Sequence, residues 1–485
     1  MKTCFLYTIL IIVCASSLSA SAQSRQQLKN DSVFALVKKY FNERQAESIY
    51  DLAGEKFKKA LSADAFKDVA TRQLFPAGPI RESSLISFLN NQMSTYKLVF
   101  DTGMLQLLMT LDDKDKLELF LFKPYKEEAP DKVKPVAASN LMRSVTDKKV
   151  DSAARAYIQK ANTVGLSIGV LKDGVIHTYN YGETILGNGQ LPTANSIFEL
   201  GSITKTFTAT LLAYYVNEGK VKLTDPITKY LPDSVAANSE LQNVTLVTLS
   251  NHTSGLPRLP DNFEFHSSDP LNPYKDYTRQ YLFSYLKSCK LNSKPGETYA
   301  YSNLAVGLLG TILEQVSGKS FAQMVQDIIC TPLGMKSTAQ HLSPELKQRF
   351  VTVYNEDGKA TPAWDFDVLA PCGSLKSTVN DLLIYAKANM ALTNTDLSKA
   401  IELTHQVTKA IELTHQVTFD KNIKLGLGWH IIKVEGVEYY FHNGGTGGSS
   451  SFLAFNPEKK LAVIILSNAE ASVDNVGASI LKKIQ

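Results

Sequence analysis

The chain has 485 residues, 44% of them hydrophobic, with a formal net charge of +4 and 8 histidines. Such a length exceeds what one ordinary core needs. The near balance of charge leaves no basic block interleaved with aromatics, which excludes nucleic acid as a partner. The histidines lack metal-ligand spacing, so neither a metal nor a cofactor is expected.

Residues 1–22 carry Lys2, an apolar stretch from Cys4 to Cys14, and small residues at Ala20, Ser21 and Ala22. That pattern reads as a cleaved signal peptide and predicts an exported protein, periplasmic or secreted. Val13 before Cys14 is larger than the small residue usual at a lipidation site. No later apolar run is long enough for a membrane span. Cys289, Cys330 and Cys372 then remain, and so sparse and odd a set predicts buried free thiols rather than a disulfide framework.

Residues 31–125 form a first unit. Val33, Leu36, Val37, Tyr40 and Phe41 make a helical stripe, residues 49–61 suggest a second helix, and Ser62 is placed to cap a third reaching about Leu74. The period then changes to two over 96–100, 104–111 and 117–122, with a polar turn at 112–116. Helices followed by antiparallel strands imply an α+β class. The order resembles the small cone-shaped NTF2-like domains, which implies a non-catalytic accessory or packing domain. Residues 126–139, charged and with two prolines, read as a semi-extended linker.

Residues 140–485 form the second domain, again α+β. A helix is expected over 152–160, then strands over 165–171 and 175–181 joined by Lys172-Asp173-Gly174, a hairpin turn. A helix starting at Ser202 ends at Gly219 and leads into a long helical region reaching about Asn389. Strands return over 428–432, 439–443, 449–456 and 461–467, and Asp474 is placed to cap a closing helix. Early and late strands can share one antiparallel sheet, with the helical region as a separate layer. Residues 399–408 recur without change at 409–418. Ten residues of helix turn through about 1000°, so two copies cannot present one apolar face in a straight helix. The reading is a tandem duplication in a tolerant surface segment.

Three stretches carry chemistry. In Phe198-Glu-Leu-Gly-Ser-Ile-Thr-Lys205 a serine and a lysine lie three apart, so both share a helix face. An ammonium stabilises a serine alkoxide and, once desolvated, can accept its proton. Tyr301-Ser302-Asn303 offers a phenol, which a nearby cation would help to ionise into a general base, and an amide. Phe441-His-Asn-Gly-Gly-Thr-Gly-Gly-Ser449 ends a strand with glycines that leave backbone N–H groups free for an oxyanion, beside the donor or cation of His442.

The order Ser-x-x-Lys, Tyr-x-Asn, His-x-Gly resembles the serine β-lactamase and penicillin-binding-protein superfamily, in its class C, DD-carboxypeptidase and esterase branch. Leu249-Ser-Asn-His-Thr-Ser-Gly-Leu-Pro257 and Pro332-Leu-Gly-Met335 are typical of the same branch. The resemblance implies an antiparallel sheet flanked by helices plus a helical subdomain, and a covalent acyl-enzyme. It makes Ser202 the nucleophile, Lys205 and Tyr301 the handlers of its proton, and Asn303 and His442 substrate-binding residues. Gly444 and Gly445 would line the oxyanion pocket, formed by the N–H groups of Ser202 and Gly445. His252 reads as structural. Where many β-lactamases have a lysine, His442 would meet a substrate carboxylate only when protonated, near its ordinary pKa of about 6.5. The expected substrate is a small molecule or a peptidoglycan peptide, attacked at a peptide, β-lactam or ester carbonyl. A carboxylesterase, or a sensor that acylates without turnover, is the alternative.

Overall fold

The first and last strands of the second unit lie side by side: Leu166–Leu171 pairs antiparallel with Ala462–Ser467. This computed structural model describes residues 24–89, 92–127, 130–412 and 422–485. The signal-peptide expectation over 1–22 and most of the second repeat copy, 413–418, lie outside the described residues. The chain divides into two units, Met1–Glu127 and Glu128–Gln485.

In the first unit, α1 (Arg25–Asn42), α2 (Ala46–Asp51), α3 (Glu55–Ala60) and α4 (Ala63–Val69) precede four strands: β1 (Glu82–Leu89), β2 (Met93–Phe100), β3 (Gly103–Leu111) and β4 (Leu117–Pro124). They form an antiparallel meander in the order β1-β2-β3-β4. Ser62 caps α4, its Oγ accepting from the Ala65 N–H. The single helix expected over 49–61 is broken into α2 and α3, and β1, rich in serine and without clean alternation, was not expected at all. Phe34, Phe41, Phe75, Phe100, Leu98 and Leu107 fill the space between helices and sheet.

In the second unit, residues 130–139 are fastened to the body. Lys132 Nζ donates to the carbonyls of Ile158 (2.8 Å) and Thr163 (2.6 Å). Helix α5 (Val145–Ile158) starts with a capping box at Ser144 and Asp147, several residues before the expected position. Then come β5 (Gly165–Lys172), β6 (Val175–Gly182) and the short β7 (Phe198–Glu199). The helical layer contains α6 (Thr204–Asn217), α7 (Asp233–Ala236), α8 (Leu246–Ser250), α9 (Arg279–Leu286), α10 (Asn303–Ser317), α11 (Phe321–Met324), α12 (Thr331–Leu333) and α13 (Pro344–Lys347). Strand pair β8 (Val353–Tyr354) and β9 (Ala360–Thr361), β10 (Lys376–Ser377), α14 (Val379–Asn389) and α15 (Ser398–His405) follow. The chain closes with β11 (Lys409–Glu412), β12 (Asn422–Leu425), β13 (His430–Val434), β14 (Val437–Gly445), β15 (Ser450–Asn456), β16 (Leu461–Ser467) and α16 (Asp474–Ile484).

The large sheet has eight strands in the order β11-β12-β13-β14-β15-β16-β5-β6. Strands β15 and β16 are buried along their whole length, as strands covered on both faces must be. One face carries α5 and α16 over Leu166, Ile168, Phe452 and Ile465. The other meets the helical layer through Leu171, Leu453, Phe455 and Ile464. Asp474 does not cap α16 as expected: the cap is Val473, and the Asp474 carboxylate instead accepts from Asn443 Nδ2 at 2.8 Å. Cys289, Cys330 and Cys372 are buried free thiols. Among the described residues no helix is long and apolar enough to cross a membrane.

Candidate active site

Ser202 sits in a single 3-10 turn, Gly201–Ile203, that runs directly into α6. The α-helix therefore begins two residues later than expected. Gly201 has φ +50°, and a Cβ there would lie 2.6 Å from the Gly445 nitrogen. A Cβ on Gly444 would lie 2.0 Å from the Leu200 carbonyl and 2.8 Å from the Ser202 nitrogen. Only glycine at both positions lets the end of β14 close on the turn. The Gly445 nitrogen is thereby brought against the Ser202 turn, and Ser202 and Gly445 keep access to solvent. Ser451 Oγ donates to the Leu200 carbonyl at 2.7 Å and fixes the register between turn and sheet.

Lys205 is 1% exposed. Its Nζ lies 3.0 Å from Ser202 Oγ, 2.8 Å from Asn303 Oδ1 and 2.7 Å from the Cys372 carbonyl. Burial pushes its pKa down to about 8. Asn303, at the start of α10, passes the contact on: its Nδ2 donates to Tyr274 Oη at 2.9 Å. Ser302 caps α10 through the Ala305 N–H and donates to the Pro257 carbonyl at 2.6 Å.

Tyr301 corrects one expectation. The Lys205 ammonium lies over its ring, 4.8 Å from the centroid, so the cation meets the π face rather than the oxygen. Burial therefore outweighs the hydrogen bond with Ser202, and the phenol's pKa is raised. The Tyr301 phenol is protonated at neutral pH, not a phenolate.

His442 corrects another. It is 1% exposed, and its Nδ1–H donates to the Asn443 carbonyl at 2.6 Å. Burial, reinforced by His430 and Lys205, holds its pKa well below the ordinary histidine value. The imidazole is neutral, with Nε2 buried and unpartnered. His252 is also buried and neutral, its Nδ1 accepting from the Ser302 N–H at 3.2 Å and its ring 4.3 Å from that of Tyr301.

Several neighbours carried no motif. Tyr274 and the Cys372 carbonyl are brought in from distant loops. Glu199 is buried and accepts from the Trp364 N–H (2.7 Å), Thr446 Oγ1 (2.7 Å) and Ser449 Oγ (3.3 Å), so it ties the loop after Gly445 to the strand before Ser202. Glu199 stood inside the Ser-x-x-Lys phrase, which was the one signal available. Among the described residues no group of three or more His, Cys, Asp or Glu is placed to hold a metal.

Taken together, the site places a hydroxyl beside a desolvated lysine, in a turn closed against Gly444 and Gly445 at the end of β14. That arrangement suits nucleophilic attack on a carbonyl. The chain matches the Beta-lactamase family model over residues 150–483. It is 29% identical over 352 residues to a beta-lactamase of Pseudomonas fluorescens, covering 66% of this chain and 92% of that one. It is 30% identical over 324 residues to the D-alanyl-D-alanine-carboxypeptidase/endopeptidase AmpH of Escherichia coli (strain K12), covering 65% of this chain and 82% of the relative. A solved class C beta-lactamase superposes with a TM-score of 0.62 at 25% identity, covering 72% of this chain and 98% of that structure. The second unit's eight-stranded sheet, its helical layer and these matches agree: the chain belongs to the beta-lactamase family.

Proposed function

We propose that this serine hydrolase cleaves a D-alanyl-D-alanine-type peptide or a β-lactam through an acyl-enzyme on Ser202. The observation that carries the reading is Lys205 Nζ, 3.0 Å from Ser202 Oγ with its pKa lowered to about 8. The neutral amine takes the hydroxyl proton as Oγ attacks the carbonyl. The N–H groups of Ser202 and Gly445 receive the developing oxyanion. Tyr301, protonated and packed against Lys205, passes a proton to the leaving group and is then the base for the water that releases the acyl group. Asn303 orients Lys205 and borders the substrate.

A carboxylesterase of the same fold is the second reading, favoured by the neutral His442, which offers no charge to a substrate carboxylate. Export is proposed from the leader-like composition of residues 1–22 alone. The first unit is proposed as an NTF2-like accessory domain without catalytic groups, since aromatic side chains fill its core.

The test is covalent labelling. A fluorescent penicillin and a fluorophosphonate should each add to the wild-type protein at Ser202, located by peptide mass spectrometry, and Ser202→Ala should lose the adduct. Labelling of Ser202→Ala at an unchanged rate would remove the assignment. Steady release of D-alanine or of opened β-lactam, against turnover of simple esters only, decides between the two readings.

A further inference from the structure

Beside Tyr301 stands a cation that none of the three motifs contains. Arg258 is exposed, and its Cζ lies 5.3 Å from the Tyr301 ring centroid. Its backbone is held tightly: the Arg258 carbonyl accepts from the N–H groups of Asn303 (3.0 Å) and Leu304 (3.1 Å). The preceding Pro257 carbonyl accepts from Ser302 Oγ. The start of α10, which places Tyr301 and Asn303, thus places Arg258 as well. Among the described residues the guanidinium has neither a carboxylate nor another hydrogen-bond acceptor as a partner.

We propose that Arg258 is the residue that reads an anionic group, a carboxylate, on the substrate. The other cationic candidates around Ser202 cannot do this. Lys205 is buried and directs Nζ at Ser202, Asn303 and the Cys372 carbonyl. His442 and His252 are buried and neutral. A guanidinium lying on an aromatic ring keeps its edge free, and that edge matches a carboxylate with two parallel hydrogen bonds. The ring fixes the cation's position, and Lys205 links that ring to Ser202, its Nζ 4.8 Å from the ring centroid and 3.0 Å from Ser202 Oγ. The charge expected at His442, on β14, is thereby moved to Arg258, in the loop after α8.

The inference rests on the Ser202 acyl-enzyme reading, and its test separates the two. Two substrate pairs are used with the full chain: p-nitrophenyl hydrogen glutarate with its methyl ester, and 4-acetoxybenzoate with its methyl ester. The first pair carries the carboxylate on the acyl side, the second on the leaving group. The quantity read is the ratio of kcat/KM for the acid to that for its neutral ester. Arg258→Ala should lower this ratio by about tenfold or more in at least one pair, the scale of losing a charged hydrogen-bonded contact. Arg258→Lys should keep part of it, and Arg258→Glu should lower it further. The pair that responds assigns the side on which the anion lies. Unchanged ratios in both pairs overturn the proposal, as does an equal loss on acid and neutral ester, which would make Arg258 a packing partner of Tyr301. The conservative Arg258→Lys keeps the comparison available should Arg258→Ala fold poorly. If the neutral esters are not hydrolysed, or Ser202→Ala hydrolyses them equally well, the acyl-enzyme reading fails first and this inference falls with it.

Discussion

Lys205 has three acceptors for an ammonium and also serves a neutral amine. As an amine it donates to Asn303 Oδ1 and the Cys372 carbonyl, and turns its lone pair to the Ser202 hydroxyl. On the proposed reading, proton uptake would switch the group off as a base without moving it. The sign follows: with a pKa of about 8, the active amine fraction grows as pH rises. For a neutral ester such as p-nitrophenyl acetate, kcat/KM should rise about tenfold per pH unit below this pKa and level off above it. No inflection should come from His442 near pH 6 to 7, because that imidazole stays neutral. A profile flat from pH 6 to 9 would show that Lys205 is not the base. That Ser202 and Lys205 lie side by side was legible in the sequence because their motif is local, and the structure adds Asn303 and Tyr301 beside Lys205. Their protonation was not legible, because burial depends on what the rest of the chain stacks over them. Arg258 and Tyr274 were missed for a similar reason, since only the packing of loops brings them to Tyr301 and Asn303.

Among the elements, the duplicated decapeptide separates local preference from context. Lys-Ala-Ile-Glu begins both copies, yet it is helix within Ser398–His405 and strand at Lys409–Glu412. In the helix it buries Ala400 and Ile401. In the strand every residue is exposed or half-buried, and the pairing is antiparallel with β12 at the sheet edge. The conflict of faces noticed in the sequence is thus resolved by a change of secondary structure, which periodicity within one copy cannot forecast. Removing either copy gives the same polypeptide, so a single deletion tests both. The remaining decapeptide should keep the helical place, since burial there exceeds what the edge strand gains. Hydrolysis of p-nitrophenyl acetate should stay within about twofold of wild type, and the midpoint should drop by about 5 °C or less. Aggregation or lost activity would show that β11 has become needed to cover the sheet edge. Elsewhere the alternating and fully apolar runs gave the late strands closely, with β16 at Leu461–Ser467 matching its expected span. Strand β1 escaped because serines at three of its eight positions hide the alternation.

For the whole molecule, the break between units falls at Glu127 and Glu128. Residues after 130 belong to the catalytic unit by their contacts. Lys132 reaches the Ile158 and Thr163 carbonyls, Arg155 donates to the Val136 carbonyl at 2.6 Å, and Ala138 bridges to Tyr181. A fragment from residue 130 to the end should be soluble and hydrolyse p-nitrophenyl acetate within about twofold of the full chain. One from residue 140 loses those contacts and should melt about 5 °C or more lower. Equal melting of the two fragments would show that the segment is a passive tether. Failure of the longer one to fold would contradict independent units.

The contact between Ser451 Oγ and the Leu200 carbonyl spans 251 positions of the chain. Synthesis proceeds from the amino end, so the Ser202 turn emerges long before the strand that carries Gly444 and Gly445. Contacts of such sequence separation form slowly, because a long loop must close first. Until then, a chain complete as far as α15 carries Ser202 and Lys205 with β5 unpaired on the side β16 will fill. A nascent or truncated chain therefore presents an adhesive edge there. On the acyl-enzyme reading, hydrolytic power would arrive only once β14 and β15 close on the Ser202 turn, so the order of synthesis itself would hold the nucleophile back.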